Sequence, residues 1–153
     1  GILGDMSKNL GDDLDFDEIM RVINVNAIGA LRITNALSSL VLNSTEKTIV
    51  NISSEAGSIA DCERTGWFGY CMSKAANNMQ SALVHNNIRK LGGKVFAIHP
   101  GHVATYMRGH LDTTAKITPD VSAEGILHVV LDMPHPINSR PLYLDYTGKE
   151  LPC

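Results

Sequence analysis

The chain has 153 residues, 44% of them hydrophobic and 19% charged, a size and balance that suit one globular domain. Its net charge of −3, mixed along the chain, gives no electrostatic footprint for nucleic acid or an anionic membrane, and no unbroken apolar run approaches the roughly 20 residues that span a bilayer. Three scattered cysteines, Cys62, Cys71 and Cys153, form no CxxC pair, so no disulfide framework is expected and a reducing cytoplasmic location is.

The acidic stretch GDDLDFDE reads as a solvated helix start, favoured by the helix dipole. A long helix follows from about Asp15 to Asn43, with Phe16, Ile19, Ile23, Ala27, Ala30, Leu31, Thr34, Leu37 and Val41 at helical spacing. TIVNIS is short and β-branched, as a parallel strand buried on both faces would be. A polar loop, Ser54 to Gly66, leads into a second helix over about Trp67 to Leu91. Phe68, Cys71, Met72, Ala75, Ala76, Met79 and Leu83 form its apolar stripe, and Gly92-Gly93 ends it. KVFAIHPG is a second buried strand stopped by Pro100-Gly101. The stretch from His102 to Thr118 has no firm period and reads as a loop. Thr118-Pro119 then places a capping hydroxyl before a proline at the first helical position. A third helix to about Met133, the strand RPLYLDY and the tail GKELPC complete the chain.

Alternating helices and strands predict an α/β fold with a parallel sheet. Three strands alone would leave one edge of that sheet open. The chain also opens at Gly1 without an initiator methionine, so the expectation is the second half of a larger domain.

Tyr70 and Lys74 in GYCMSKAA stand four positions apart, which on a helix places them on one face, one turn apart. By themselves Ser54 reads first as a strand-end hydroxyl bonding its loop, Asn26 as a polar break in a buried helix, and Pro100-Gly101 as a turn. His99, His102 and His110 straddle a turn and a loop without metal-site spacing, so no metal is expected. No GxSxG elbow is present for a serine hydrolase.

Taken in order, however, the motifs resemble the C-terminal part of the short-chain dehydrogenase/reductase family. Gly1 resembles the end of its Asn-Asn-Ala-Gly motif, NVNAIGAL the helix with the catalytic asparagine, and IVNISSEAGSI the strand and loop with the catalytic serine. YCMSK resembles its Tyr-x-x-x-Lys motif, and HPGHVAT its Pro-Gly motif with a downstream threonine. GSI, SKAANNM, HPGHVATYM and YTGKELP are closest in wording to the C-factor and sniffer-like carbonyl reductase group; His102 and Cys153 depart from it, standing where an aromatic residue is usual.

The resemblance implies a partial Rossmann-type, doubly wound parallel sheet, with residues 1–153 forming the C-terminal part of one such domain and its N-terminal dinucleotide-binding half absent. It implies an NAD(P)-dependent oxidoreductase acting on a small carbonyl or alcohol, with NADP favoured over NAD. The implied catalytic residues are Asn26, Ser54, Tyr70 and Lys74: Tyr70 as general acid, Lys74 lowering its pKa and binding the nicotinamide ribose, Ser54 holding the substrate oxygen, Asn26 holding a water behind Lys74. Gly1, Tyr70, Lys74, Pro100, Gly101, Val103 and Thr105 would face the cofactor, with His102 to Ile117 as a substrate lid bearing the apolar Tyr106, Met107 and Leu111. The two long helices would pair across a homodimer or homotetramer axis. No TGxxxGxG or GxGxxG turn occurs, so the chain alone is expected to bind cofactor poorly and to be inactive. The same lack supports an alternative, a non-catalytic interaction or regulatory module.

Overall fold

The computed structural model of the chain describes residues 1–134 and 141–153. Its first long helix runs from Phe16 to Asn43 as α1 (Phe16–Ile23), a π turn (Asn24–Ile28) and α2 (Gly29–Asn43). Asp15 starts it: the Glu18 amide donates to the Asp15 carboxylate at 2.9 Å, and Asp17 and Glu18 sit at the positive end of the helix dipole. This 28-residue helix is long and apolar enough to cross a membrane by length and composition, which corrects the expectation that no such stretch exists. Looking for unbroken apolar runs missed it, because single polar residues such as Asn26, Arg32 and Asn35 interrupt a segment whose average is still apolar.

Three parallel strands follow in the order β1-β2-β3: β1 (Thr48–Ile52), β2 (Lys94–His99) and β3 (Leu142–Asp145). Arg140, expected to open the last strand, lies outside the described residues. Between the strands run α3 (Phe68–Ile88), extended by a 3-10 turn (Arg89–Leu91), and α4 (Pro119–Leu131). Gly92, at φ 83°, takes the left-handed conformation that closes α3, and the Thr118 hydroxyl caps α4 by accepting from the Val121 amide.

The two faces of the sheet are held differently. On one, Phe96, Ile98 and Leu144 close against Val129 and Val130 of α4 in a fully apolar cluster. Burying each of these side chains contributes about 1.5–3 kcal/mol. On the other, α3 lies over β1 and β2 through polar groups. The Asn51 amide donates to the Ser81 hydroxyl at 2.8 Å, that hydroxyl donates to the Asn77 carbonyl, and the Val95 amide donates to the His85 ring.

Two expectations about burial need correction. The apolar stripe of α3 does not face the sheet: Met72, Met79 and Leu83 are exposed, and the buried face carries Ser73, Lys74, Asn77, Gln80, Ser81 and His85. Periodicity found a genuine stripe but could not say which side of the helix meets the sheet. Nor is β1 buried on both faces. Val50 and Ile52, paired in register with the buried Phe96 and Ile98, are themselves exposed, because β1 is an edge strand beyond the reach of α4.

Candidate active site

The carboxyl ends of β1, β2 and β3 open into a cavity of about 860 Å³. Its lining includes Ser54, Tyr70, Pro100, Gly101, Val103 and Thr105, so six of the residues singled out in the sequence converge on one concave surface. Lys74 and Asn26 stand behind that wall, and Gly1 lies against Asn26 rather than in the cavity.

Ser54 follows β1 in extended conformation, φ −163° and ψ 150°. Its Oγ accepts from the Ala56 amide at 3.2 Å, which leaves its own proton free to donate. Tyr70 lies in the first turn of α3 and lines the same cavity as Ser54. Burial pushes its phenol above the ordinary value, and the Ser54 hydrogen bond pulls it partly back. Trp67, at φ 64°, takes a left-handed conformation immediately before α3 and meets the Tyr70 ring edge-on, centroids 6.3 Å apart. Such backbone costs a bulky residue on the order of 1–2 kcal/mol and here turns the chain so that Tyr70 enters the cavity.

Lys74 is 6% exposed, its ammonium donating to the Ile52 carbonyl at 3.1 Å and lying 5.6 Å from the Tyr70 ring centroid. Burial pulls its pKa down to about 8. Its charge is turned to the end of β1, and the groups that lower Tyr70 are Ser54 and, more weakly, Arg64. Asn26, on the π turn, commits both amide hydrogens and one Oδ1 lone pair: its Oδ1 accepts from the Ile2 amide, and its Nδ2 donates to the Ile2 carbonyl at 2.8 Å and the Ser73 hydroxyl at 3.0 Å. A Cβ on Gly1 would come within 2.8 Å of Asn26 Oδ1, so the glycine there permits the close approach.

Gly101, at φ 84°, makes the turn after β2; a side chain there would strike Ile117 at 2.7 Å and Tyr146 at 3.0 Å. The Ser122 hydroxyl fixes the same turn by donating to the Pro100 carbonyl. The segment beyond is pinned at its base. Val103 bridges to Ile117, and the His102 ring pairs with Asp112 at 2.8 Å. The Thr114 hydroxyl, the His102 ring and the Thr114 amide hold the Asp112 carboxyl well below its usual range. Tyr106, Met107 and Leu111 are exposed above the cavity.

Sequence reasoning missed His99 as a site residue. It ends β2 and lines the cavity, burial pushes its pKa down, and its Nδ1 is buried without a protein partner among the described residues. Its place one residue before Pro-Gly was the available signal. The Glu55–Arg64 ion pair at 2.7 Å, with Arg64 stacked over Trp67 at 5.1 Å, was likewise missed, because its partners come together only when the loop closes.

Comparison with known proteins identifies the family. Residues 4–116 match the family model for short chain dehydrogenases. The chain belongs to the short-chain dehydrogenase/reductase family. It is 34% identical over 140 residues to C-signal of Myxococcus xanthus, covering 92% of this chain and 81% of that protein. To 1-hydroxy-2-glutathionyl-2-methyl-3-butene dehydrogenase of Rhodococcus it is 36% identical over 115 residues, covering 74% of this chain and 50% of the relative. Among solved structures, NADPH-bound carbonyl reductase from chicken fatty liver superposes with a TM-score of 0.83 at 28% identity, over 98% of this chain and 63% of that one. An NADP-bound short-chain dehydrogenase/reductase from Burkholderia multivorans superposes at 0.84 with 26% identity, over 100% and 63%. The Rossmann-type α/β fold and the likeness to the carbonyl reductase group expected from the motifs are thus found. The chain spans about half the length of the Rhodococcus relative and less than two thirds of these solved structures.

Proposed function

We propose that this chain carries the catalytic part of an NAD(P)-dependent carbonyl reductase, with Tyr70 as the proton donor. The observation that carries this reading is the convergence of Ser54 and Tyr70 at the strand ends with Lys74 buried one helical turn behind. The donor set suits a nicotinamide nucleotide: the Tyr70 hydroxyl and Lys74 ammonium for ribose hydroxyls, the Val103 backbone for the carboxamide, and Thr105 for a further hydrogen bond. The unpartnered Nδ1 of His99 gives the cavity wall a polar atom that a bound polar group would satisfy. When bound, a reduced nicotinamide supplies the hydride that adds to the carbonyl carbon.

Tyr70 gives its proton to the substrate oxygen as the carbonyl π bond breaks. Its raised pKa keeps that proton in place at neutral pH. Ser54 donates to the same oxygen and steadies the developing charge. Lys74, charged below about pH 8, offers its ammonium to the ribose and to the proton path, with Asn26 holding the water behind it. NADP is the favoured cofactor, in keeping with the NADP-bound neighbours. The exposed edge of β1, with Val50 and Ile52 uncovered, suits a preceding dinucleotide-binding half that pairs there and carries the adenine end. The exposed apolar residues of the long helix and of α3, among them Phe16, Met20, Leu40, Met79 and Leu83, suit a second copy across a dimer axis better than a bilayer, since Asn26 on the same helix is built into the site. A cytoplasmic location and small carbonyl substrates belong to the same reading.

The test is oxidation of NADPH and NADH by the natural polypeptide across a carbonyl panel. Turnover with NADPH preferred supports the proposal, and no turnover with either cofactor on any carbonyl overturns it. A second reading has its own support: the relative of which this chain spans 81% bears the name of a signal, not of an enzyme. A non-catalytic interaction module predicts an intact fold, no cofactor binding, and a partner-binding surface unaffected by Tyr70→Phe.

A further inference from the structure

The floor of the site is held from the last strand of the sheet. Tyr143, on β3, is 4% exposed on the face that meets α3, and its hydroxyl donates to the Ser54 carbonyl at 2.6 Å, across 89 residues of sequence. That carbonyl also accepts from the Gly57 amide at 2.9 Å, so both of its lone pairs are committed. One residue earlier, the Ser53 hydroxyl donates to Asn78 Oδ1, and the Asn78 amide donates to the Gly57 carbonyl at 3.3 Å. The residues flanking the Ser54 side chain are therefore tied to β3 by one bond and to α3 by two.

We propose that Tyr143, supported by Asn78, is a positioning residue that sets the direction of the Ser54 hydroxyl toward Tyr70 and the substrate oxygen. The argument is geometric. Ser54 leaves β1 extended and at once caps a three-residue 3-10 turn, Glu55–Gly57, too short to hold a side chain by itself. Rotation of the Ser54 peptide would swing Oγ away from Tyr70, and the Tyr143 hydrogen bond resists that rotation. Burial pushes the Tyr143 phenol up to about 12, so it stays protonated and remains a donor throughout the working range. A buried tyrosine whose hydroxyl reaches a carbonyl bearing on the reacting group, at a distance of only 2.6 Å, is more than a space-filling aromatic.

This rests on the reductase reading above, and two measurements separate the two. The first is a double-mutant cycle on the natural polypeptide between Tyr143→Phe and Ser54→Ala. Tyr143→Phe alone is expected to lower kcat about ten-fold with KM changed less than about two-fold, since small misplacements of a reacting group cost that much or more. In the Ser54→Ala background the same substitution should cost nothing further, because what Tyr143 positions is gone. An equal loss in both backgrounds, or no loss in either, overturns the proposal. The same cycle with Asn78→Ala serves if Tyr143→Phe does not fold, with the same two outcomes.

The second measurement needs no turnover. Titration of Tyr70 by ¹³C-tyrosine NMR, assigned through Tyr70→Phe, should show its pKa rising in Tyr143→Phe by roughly half a unit or more as the Ser54 hydrogen bond is lost. An unmoved Tyr70 titration overturns the positioning role, whether or not the protein proves to be a reductase.

Discussion

The two faces of the sheet are built on opposite principles. Toward α4 the chain uses an apolar cluster, Phe96, Ile98, Val129, Val130 and Leu144, in which shape matters and direction does not. Toward α3 it uses hydrogen-bonded side chains, Asn51 to Ser81, His85 to the Val95 amide and Lys74 to the Ile52 carbonyl, in which direction is everything. The candidate residues Ser54, Tyr70 and Lys74 all hang from the second face or its end. A polar seam costs stability compared with an apolar one, since every group must find its partner. In return it holds Ser54, Tyr70 and Lys74 at fixed orientations.

That contrast can be broken most forcefully on the apolar side. Phe96→Ala removes a fully buried ring and should destabilise the fold by about 3–5 kcal/mol, read by urea unfolding, while a Phe96→Leu change costs far less. A loss below about 1 kcal/mol for Phe96→Ala would mean that the α4 face is not the main apolar core.

Lys74 comes next. Folded Lys74 loses its proton near pH 8, whereas an exposed lysine does so at 10.5. Between those values the unfolded chain binds more protons, so this group's contribution to stability rises with pH across that window. At pH 7 its burial costs up to about 3 kcal/mol. Lys74→Met should therefore be more stable than wild type at pH 7 and lose that advantage by pH 10, as followed by denaturant melts at each pH. An advantage independent of pH would contradict the buried, charged lysine.

The smallest effect belongs to the seam itself. Asn51→Ala leaves the Ser81 hydroxyl without the amide that donates to it and should cost about 1–3 kcal/mol. Replacing both, Asn51→Ala with Ser81→Ala, should recover part of that loss. Strict additivity of the two would show that the pair is not coupled.

Much of this arrangement was legible in the sequence, and the missing parts share a cause. The long helix from about Asp15, the strands β1 and β2, the Gly92 stop and the Thr118-Pro119 start are local in origin and appear where spacing put them. Motif order brought Ser54, Tyr70, Pro100, Gly101, Val103 and Thr105 to one cavity. What escaped depends on tertiary direction. The stripe of α3 was read without knowing that its polar face meets the sheet, and β1 was taken as buried although its outer face lies beyond α4. The bond from the Lys74 ammonium to the Ile52 carbonyl joins α3 to β1 and has no signal in the spacing of Tyr70 and Lys74. Tyr143 reaches the Ser54 carbonyl across 89 residues of sequence, which no spacing rule links.

The central claim is that Tyr70 delivers the proton in a nicotinamide-dependent carbonyl reduction. Steady-state turnover of Tyr70→Phe, compared with wild type on the natural polypeptide and paired with a cofactor-binding titration, tests it directly. The account predicts kcat reduced by at least about a hundred-fold with cofactor affinity within about two-fold of wild type. Retention of more than about a tenth of wild-type kcat would contradict Tyr70 as the general acid.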